Sequence, residues 1–454
     1  MRDLFFVGFL AGLMALGFRR PFLFVLAYAY VDIVAPQRLS YFLLSGPGLV
    51  MAVAVAAMGS WLLFDRKEGL RITGRQWLMM LLLAYAGLTT LGAEMPLEAK
   101  DKWDWVWKSM VFAIFLPLTL RTKLRIEAYI LFMILSAAAI VIVGGIKTLL
   151  SGGGYGALNL MVDNNSGLYE GSTISMVAVA LVPLILWAAR HGTVFPRDWR
   201  VRTFAAGLIF ACLLIPVGTE ARTGLVCIGV LAMLMLRDTK RRFLYAGLVG
   251  AACLAAVPLL PQSFTSRMGT ISSYEADSSA STRLAVWSWT WDYVQDNPLG
   301  GGFEIYRKNR IQVATVATTG DDTSRSINET VHQDEGRAFH SAYFEMLGEQ
   351  GFPGLFLFLL IHILSLVRME LLRRRWRTAG GDEAWIAPLA TALQSFQIVY
   401  LVGALFVGIA FQPFVWMVMA VQIGFDVYVT RRHKAEAKRR PFQVRPPEPE
   451  LAGA

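Results

Sequence analysis

The chain has 454 residues, 55% of them hydrophobic and only 17% charged, with a mean hydropathy of +0.49. A water-soluble protein carries about a quarter charged residues. The deficit, spread over repeated apolar runs, excludes a soluble globular enzyme and points to a polytopic membrane protein. The net charge of +10 is concentrated in connections between apolar runs, which reads as anchoring against anionic lipid and not as a nucleic-acid footprint.

Apolar runs fall near 4–18, 21–34, 47–64, 77–93, 107–120, 128–150, 172–189, 203–218, 223–236 and 243–260. After one long polar stretch come 351–369, 385–408 and 412–430. Residues 4–18 run into Arg19-Arg20 without a small-x-small cleavage site, so they read with 21–34 as one broken or re-entrant element and not as a signal peptide. The expectation is an all-α fold of about twelve transmembrane helices. Its divisions are N-terminal transmembrane helices (1–260), a large outer loop with amphipathic helices (261–350), C-terminal transmembrane helices (351–430) and a basic, Pro-rich tail (431–454). Cys212, Cys227 and Cys253 all lie in apolar runs, which excludes a disulfide framework. The glycine cluster Gly152 to Gly156 lacks the spacing of a nucleotide-binding loop.

Charge sets the expected orientation. Lys and Arg number 28 in the alternate connections 19–20, 65–76, 121–127, 190–202, 237–242, 368–377 and 431–440. The opposite short connections hold only Arg38, Lys100, Lys102 and Arg222. The positive-inside rule then puts the C-terminus in the cytoplasm and the long 261–338 loop on the far side.

Within that loop, Ser281-Thr282 can cap a helix whose Leu284, Trp287, Trp291 and Val294 recur on one face, ended by Asn297-Pro298-Leu299 and Gly300 to Gly302. Tryptophans on such a face suit the membrane interface, or equally the packing of a loop subdomain. Thr318 to Gly336 reads as a polar, mobile stretch, a lid or a polysaccharide-facing segment. His340, Phe344 and Leu347 would then share a helical face leading into the next span.

Of the five histidines, the predicted topology leaves His332 and His340 outside. Their spacing, with no cysteine nearby, is a poor metal signal, and no metal or cofactor is called for. A lone histidine is more often structural; His340 is the stronger candidate for a general base acting on a sugar hydroxyl. Arg222, in Gly218-Thr219-Glu220-Ala221-Arg222-Thr223-Gly224, sits at a hinge between spans, where a charge is usually paired or functional. Lys147 near the end of 128–150 and Arg283 on the tryptophan helix are similar cases, each with snorkelling or a local salt bridge as the alternative. Arginines beside lipid suit a lipid-linked phosphate or pyrophosphate, because guanidinium binds phosphate oxygens bidentately.

Three stretches resemble the bacterial O-antigen ligase and O-antigen polymerase superfamily, which includes O-glycosylation ligases. They are Glu220-Ala221-Arg222-Thr223-Gly224, then Arg283-Leu284-Ala285-Val286-Trp287 with Asn297 to Gly302, and His340-Ser341-Ala342-Tyr343 with Glu349-Gln350-Gly351 and Gly354. The resemblance covers roughly residues 170 to 430 and implies a metal-independent, inverting glycosyltransferase of the bacterial inner membrane. Its donor would be a glycan on undecaprenyl pyrophosphate and its acceptor lipid A–core oligosaccharide, at the periplasmic face. It further implies His340 as the base, with Arg222, Arg283 and Lys147 on the donor pyrophosphate. A polymerase and a protein O-glycosylation ligase share these motifs and differ in acceptor. From another class, a polyprenyl-linked sugar flippase would show cationic groups in a central cavity and repeated spans, and no repeat is visible.

Overall fold

A computed structural model describes residues 2–40, 42–44, 48–67, 69–150, 168–237, 241, 243–244, 247, 278–319 and 326–439. The expected 243–260 span, the Gly152 to Gly156 cluster, Cys253 and the tail beyond Arg439 fall almost wholly outside these residues.

The described elements of the first half are all helices: α1 (Arg2–Gly17), α2 (Phe22–Val34), α3 (Pro36–Leu39), α4 (Leu49–Phe64), α5 (Gly74–Leu91), α6 (Pro96–Thr119), α7 (Lys123–Leu150), α8 (Gly171–His191), α9 (Trp199–Gly218) and α10 (Arg222–Leu236). Helices suit this composition because lipid offers no partner to a backbone N–H or C=O, and a helix satisfies both internally. Side chains fix several starts. Thr73 and Gln76 form a reciprocal capping box at α5, Glu170 accepts from the Ser172 and Thr173 amides at α8, and Asp198 accepts from Val201 N at α9.

After α11 (Ser278–Asp296) come strands β1 (Arg310–Thr319) and β2 (Ser326–Glu335), then α12 (Ala342–Arg375), α13 (Ile386–Gly403) and α14 (Pro413–Arg439). Six described helices are long and apolar enough to cross a bilayer, and four shorter ones are apolar. The faces turned outward from the main core carry Leu63, Phe64, Leu91, Phe210, Met233 and Phe356, all exposed. Apolar outside as well as inside is the pattern of helices solvated by lipid.

The hairpin departs from the all-α expectation. Strands β1 and β2 pair antiparallel from Arg310 opposite Glu335 to Thr319 opposite Ser326. The Thr318 to Gly336 stretch therefore contributes a strand where an irregular polar stretch was expected, and His332 lies in that strand opposite Val313. Val, Ile and Thr crowd β1, and such β-branched residues fit a pleated ribbon.

A second, smaller core sits beneath the hairpin. Val286 on α11, Ile305, Ile311 and Phe339 are buried together, flanked by Trp287, Tyr293, Tyr306 and Phe344. The α11 face differs from the predicted stripe: Val286, Thr290 and Val294 are buried, whereas Leu284 and Trp291 are exposed. Trp291 instead meets Phe352 edge-on, with ring centroids 6.1 Å apart.

Helix α12 is two helices joined at Gly351, whose φ of 62° and ψ of −167° are non-helical. The segment Pro298–Gly302 lies in that break. Phe352 N donates to Pro298 O (3.0 Å), Gly301 N to Gly348 O (3.0 Å) and Gly302 N to Glu349 O (2.9 Å). A Cβ on Gly351 would collide with Pro298 O, and one on Gly300 with Gly351 N. Both glycines also have positive φ, so this crossing of two backbones requires them.

Candidate functional site

Four non-glycine residues among those described have positive φ: Ala35, Glu220, Glu304 and His340. Such backbone costs about 1–3 kcal/mol per residue and gathers at functional sites. Two of the four stand in the turns that carry the predicted catalytic groups.

His340 (φ 47°) is not on the helical face expected of it. Helix α12 begins only at Ala342, and the strained turn Phe339–Ser341 holds His340 ahead of it. Four tethers fix the turn. Trp287 Nε1 donates to Phe339 O (2.8 Å), and its ring stacks on Phe344 with centroids 4.8 Å apart. Ala342 N donates to Ala404 O (2.8 Å), and Tyr343 donates its hydroxyl to Leu401 O (2.7 Å). Upstream, buried Asn309 receives Arg337 N at 3.0 Å and donates to Arg337 O at 2.6 Å.

The imidazole is exposed by surface area, which lets a ligand reach it, yet protein crowds it enough to shift its titration. Desolvation lowers its pKa below the ordinary value of 6.5, and the Arg283 and Arg337 charges lower it further, while Glu170 opposes them. The neutral form, which can accept a proton, thus prevails at pH 7. These couplings put Arg283, Glu170 and His340 in one electrostatic neighbourhood.

Arg222 opens α10, next to the strained Glu220 (φ 52°). A helix N-terminus is the positive end of the macrodipole, an unfavourable place for a cation unless an anion is held there. The hinge packs against two other helix ends. Ser175 Oγ on α8 lies 2.6 Å from Thr219 Oγ1, and a Cβ on Gly218 would collide with Thr148 Oγ1 on α7. Lys147 precedes that threonine in the last turn of α7, and Glu170 caps the α8 end against which Thr219 rests. The ends of α7, α8 and α10 therefore bring Lys147, Glu170 and Arg222 to one side, and Glu170 links that side electrostatically to His340.

Sequence reasoning missed the group that braces this turn. Lys102 on α6 is nearly buried and reaches Glu345 Oε1 at 2.6 Å and Glu349 Oε1 at 2.7 Å. Glu345 also accepts from Ala410 N (2.9 Å), and Glu349 from Glu304 N (2.9 Å). Burial alone would depress the Lys102 ammonium, but Glu345, Glu349 and Glu304 outweigh it and raise its pKa. A polar cavity of about 290 Å³ opens over this cluster, walled by Trp105, Tyr306 and Phe411 and bordered by Gly408. A Cβ on Gly408 would lie 3.9 Å from His340 N, so cavity and turn adjoin. Two carboxylates four residues apart at the edge of an apolar run were the available signal, since buried carboxylates need a cation. Among the described residues no group of three or more His, Cys, Asp or Glu side chains is arranged to hold a metal ion.

Residues 206–359 match the O-antigen ligase family, and residues 1–193 match a family of unknown function. No curated protein matches the chain.

Proposed function

We propose that this chain, a member of the O-antigen ligase superfamily through residues 206–359, is an O-antigen ligase. It transfers polymerised glycan from undecaprenyl pyrophosphate to lipid A–core oligosaccharide at the periplasmic face of the inner membrane. The observation that carries this reading is the exposed His340, held in a strained turn, kept neutral partly by Arg283, and flanked by the side that bears Arg222 and Lys147.

His340 takes the proton of the acceptor hydroxyl as its oxygen attacks the anomeric carbon. The carbon–oxygen bond to pyrophosphate breaks, undecaprenyl pyrophosphate leaves, and the anomeric configuration inverts. Arg222, Arg283 and Lys147 hold and neutralise the leaving diphosphate, the role that electrostatic preorganisation fills in many transferases. The polar cavity beside the turn receives the acceptor glycan: its aromatic walls stack on sugar faces, and its carboxylates accept sugar hydroxyls.

The test is reconstitution of the full chain with lipid-linked glycan and a panel of acceptors, with and without EDTA. Ligation to lipid A–core with release of undecaprenyl pyrophosphate, within about twofold in EDTA, is expected from the cationic leaving-group site. Growth of glycan on its carrier would make the chain a polymerase, and transfer to protein hydroxyls a protein ligase. Failure of the chain to release undecaprenyl pyrophosphate with any acceptor would refute a catalytic role.

A further inference from the structure

The helix ends that carry the basic connections hold a second polar site, built from α5, α12 and α14. Arg75 there is 6% exposed, and its Nη2 lies 2.5 Å from Asp426 Oδ2. Arg368 donates to the same carboxylate through Nη2 (2.7 Å) and Nε (3.0 Å). Asp426 is thus shared by two guanidiniums, and Arg75 Nη1, buried, finds no acceptor among the described residues. An unmet buried N–H on a cation is costly, and an anionic oxygen is the partner that removes the cost.

Arg75 lines a cavity of about 880 Å³ that Arg71, Arg368, Arg431 and Lys434 also line, with Asp426 as the single carboxylate among the described lining residues. Five cations against one anion specify an anionic guest. The other walls are apolar, including Leu78, Leu364 and Val427. The helices α5 and α12 that wall the cavity also carry exposed apolar side chains, Trp77, Leu81 and Leu371. A free phosphate ion would leave such walls and most of that volume unused. A lipid fills both, its phosphate among the arginines and its chains along the helices.

We propose that this cavity binds the phosphate headgroup of an anionic phospholipid, with Arg75 as the innermost contact. Basic pockets between membrane helices recognise such headgroups, and each cation near the surface contributes roughly a fivefold gain in binding. The site is separate from the His340 turn and does not depend on the activity proposed above.

The full chain in neutral detergent, titrated with phosphatidylglycerol, phosphatidylcholine or soluble glycerol phosphate and read by native mass spectrometry, tests the inference. Phosphatidylglycerol is expected to bind about tenfold or more tightly than phosphatidylcholine, and glycerol phosphate not to compete. Because Arg75 substitutions remove a buried ion pair and risk misfolding, the discriminating variant is the rim pair Arg71→Gln with Lys434→Gln. It should weaken phosphatidylglycerol binding by roughly 25-fold and leave phosphatidylcholine unchanged. Equal binding of the two lipids, an unchanged preference in the rim variant, or saturation by glycerol phosphate alone would each overturn the proposal.

Discussion

The two strained turns differ in what holds them. The Phe339–Ser341 turn is tied by hydrogen bonds from an indole, an amide and a hydroxyl, and is braced below by the Lys102 ion cluster. The Thr219–Arg222 hinge is held by local backbone bonds, Thr219 N to Ile215 O (2.9 Å) and Ala221 N to Pro216 O (3.2 Å), by the Ser175–Thr219 hydroxyl pair and by helix ends in van der Waals contact. A base must meet its proton to within a few tenths of an ångström, whereas a cation neutralising a diphosphate acts over a longer range. The turn proposed to carry the base is the one tied by distant elements.

That contrast can be broken most decisively at His340. His340→Ala should lower ligation by about 10² to 10⁴ in kcat with donor KM little changed, measured with normal protein level in a ligase-null strain. Retained ligation would end its assignment as base. Next in size, Lys102→Met should leave Glu345 and Glu349 without their cation and cost roughly 3–5 kcal/mol of stability, read from thermal unfolding in detergent. Were the variant as stable as the parent, the brace would be irrelevant to the turn.

At the hinge, Arg222→Ala should reduce kcat/KM for the lipid-linked donor by about 10- to 100-fold with the fold retained. Collapse of expression instead would make Arg222 structural. Smaller and more diagnostic are two opposite shifts in the pH profile. On the proposed mechanism, activity requires neutral His340 and so falls as pH drops through its lowered pKa. Arg283→Gln removes a charge that lowers this pKa, so the acid limb should move to higher pH, with donor binding weakened by roughly tenfold. Glu170→Gln removes the charge that raises it, and the acid limb should move to lower pH. Limbs that stay fixed in both variants would place the titrating group elsewhere.

Much of this was legible in the sequence. The apolar runs announce their helices because lipid leaves the backbone no alternative; Arg222 and His340 stand out as polar groups at the edges of such runs, and Arg283 as a cation on the tryptophan helix of the long loop. The hairpin was hidden because β2, with its Ser, Asn, Gln, Asp and Glu, has the composition of a loop, and pairing across residues 310–335 is not a local property. The left-handed His340 was unreadable for a related reason: helical spacing continues through Phe344 and Leu347, while the turn is imposed by Trp287 and Ala404 from distant elements. Lys102 counted in the sequence only as a charge on one side of the membrane. Its partners lie 243 and 247 residues away.

Trp287 and Trp291 share one helix, the former gripping the turn and the latter facing outward beside Leu284 and Phe352. If the outward rings float at the headgroup layer, that helix works as a draught mark, holding the imidazole at a constant height over the bilayer. The diphosphate of a carrier lipid floats at its own fixed level, so the meeting of the two is indifferent to how many sugars trail into the aqueous space. One catalytic stroke would then serve short and long polymers alike.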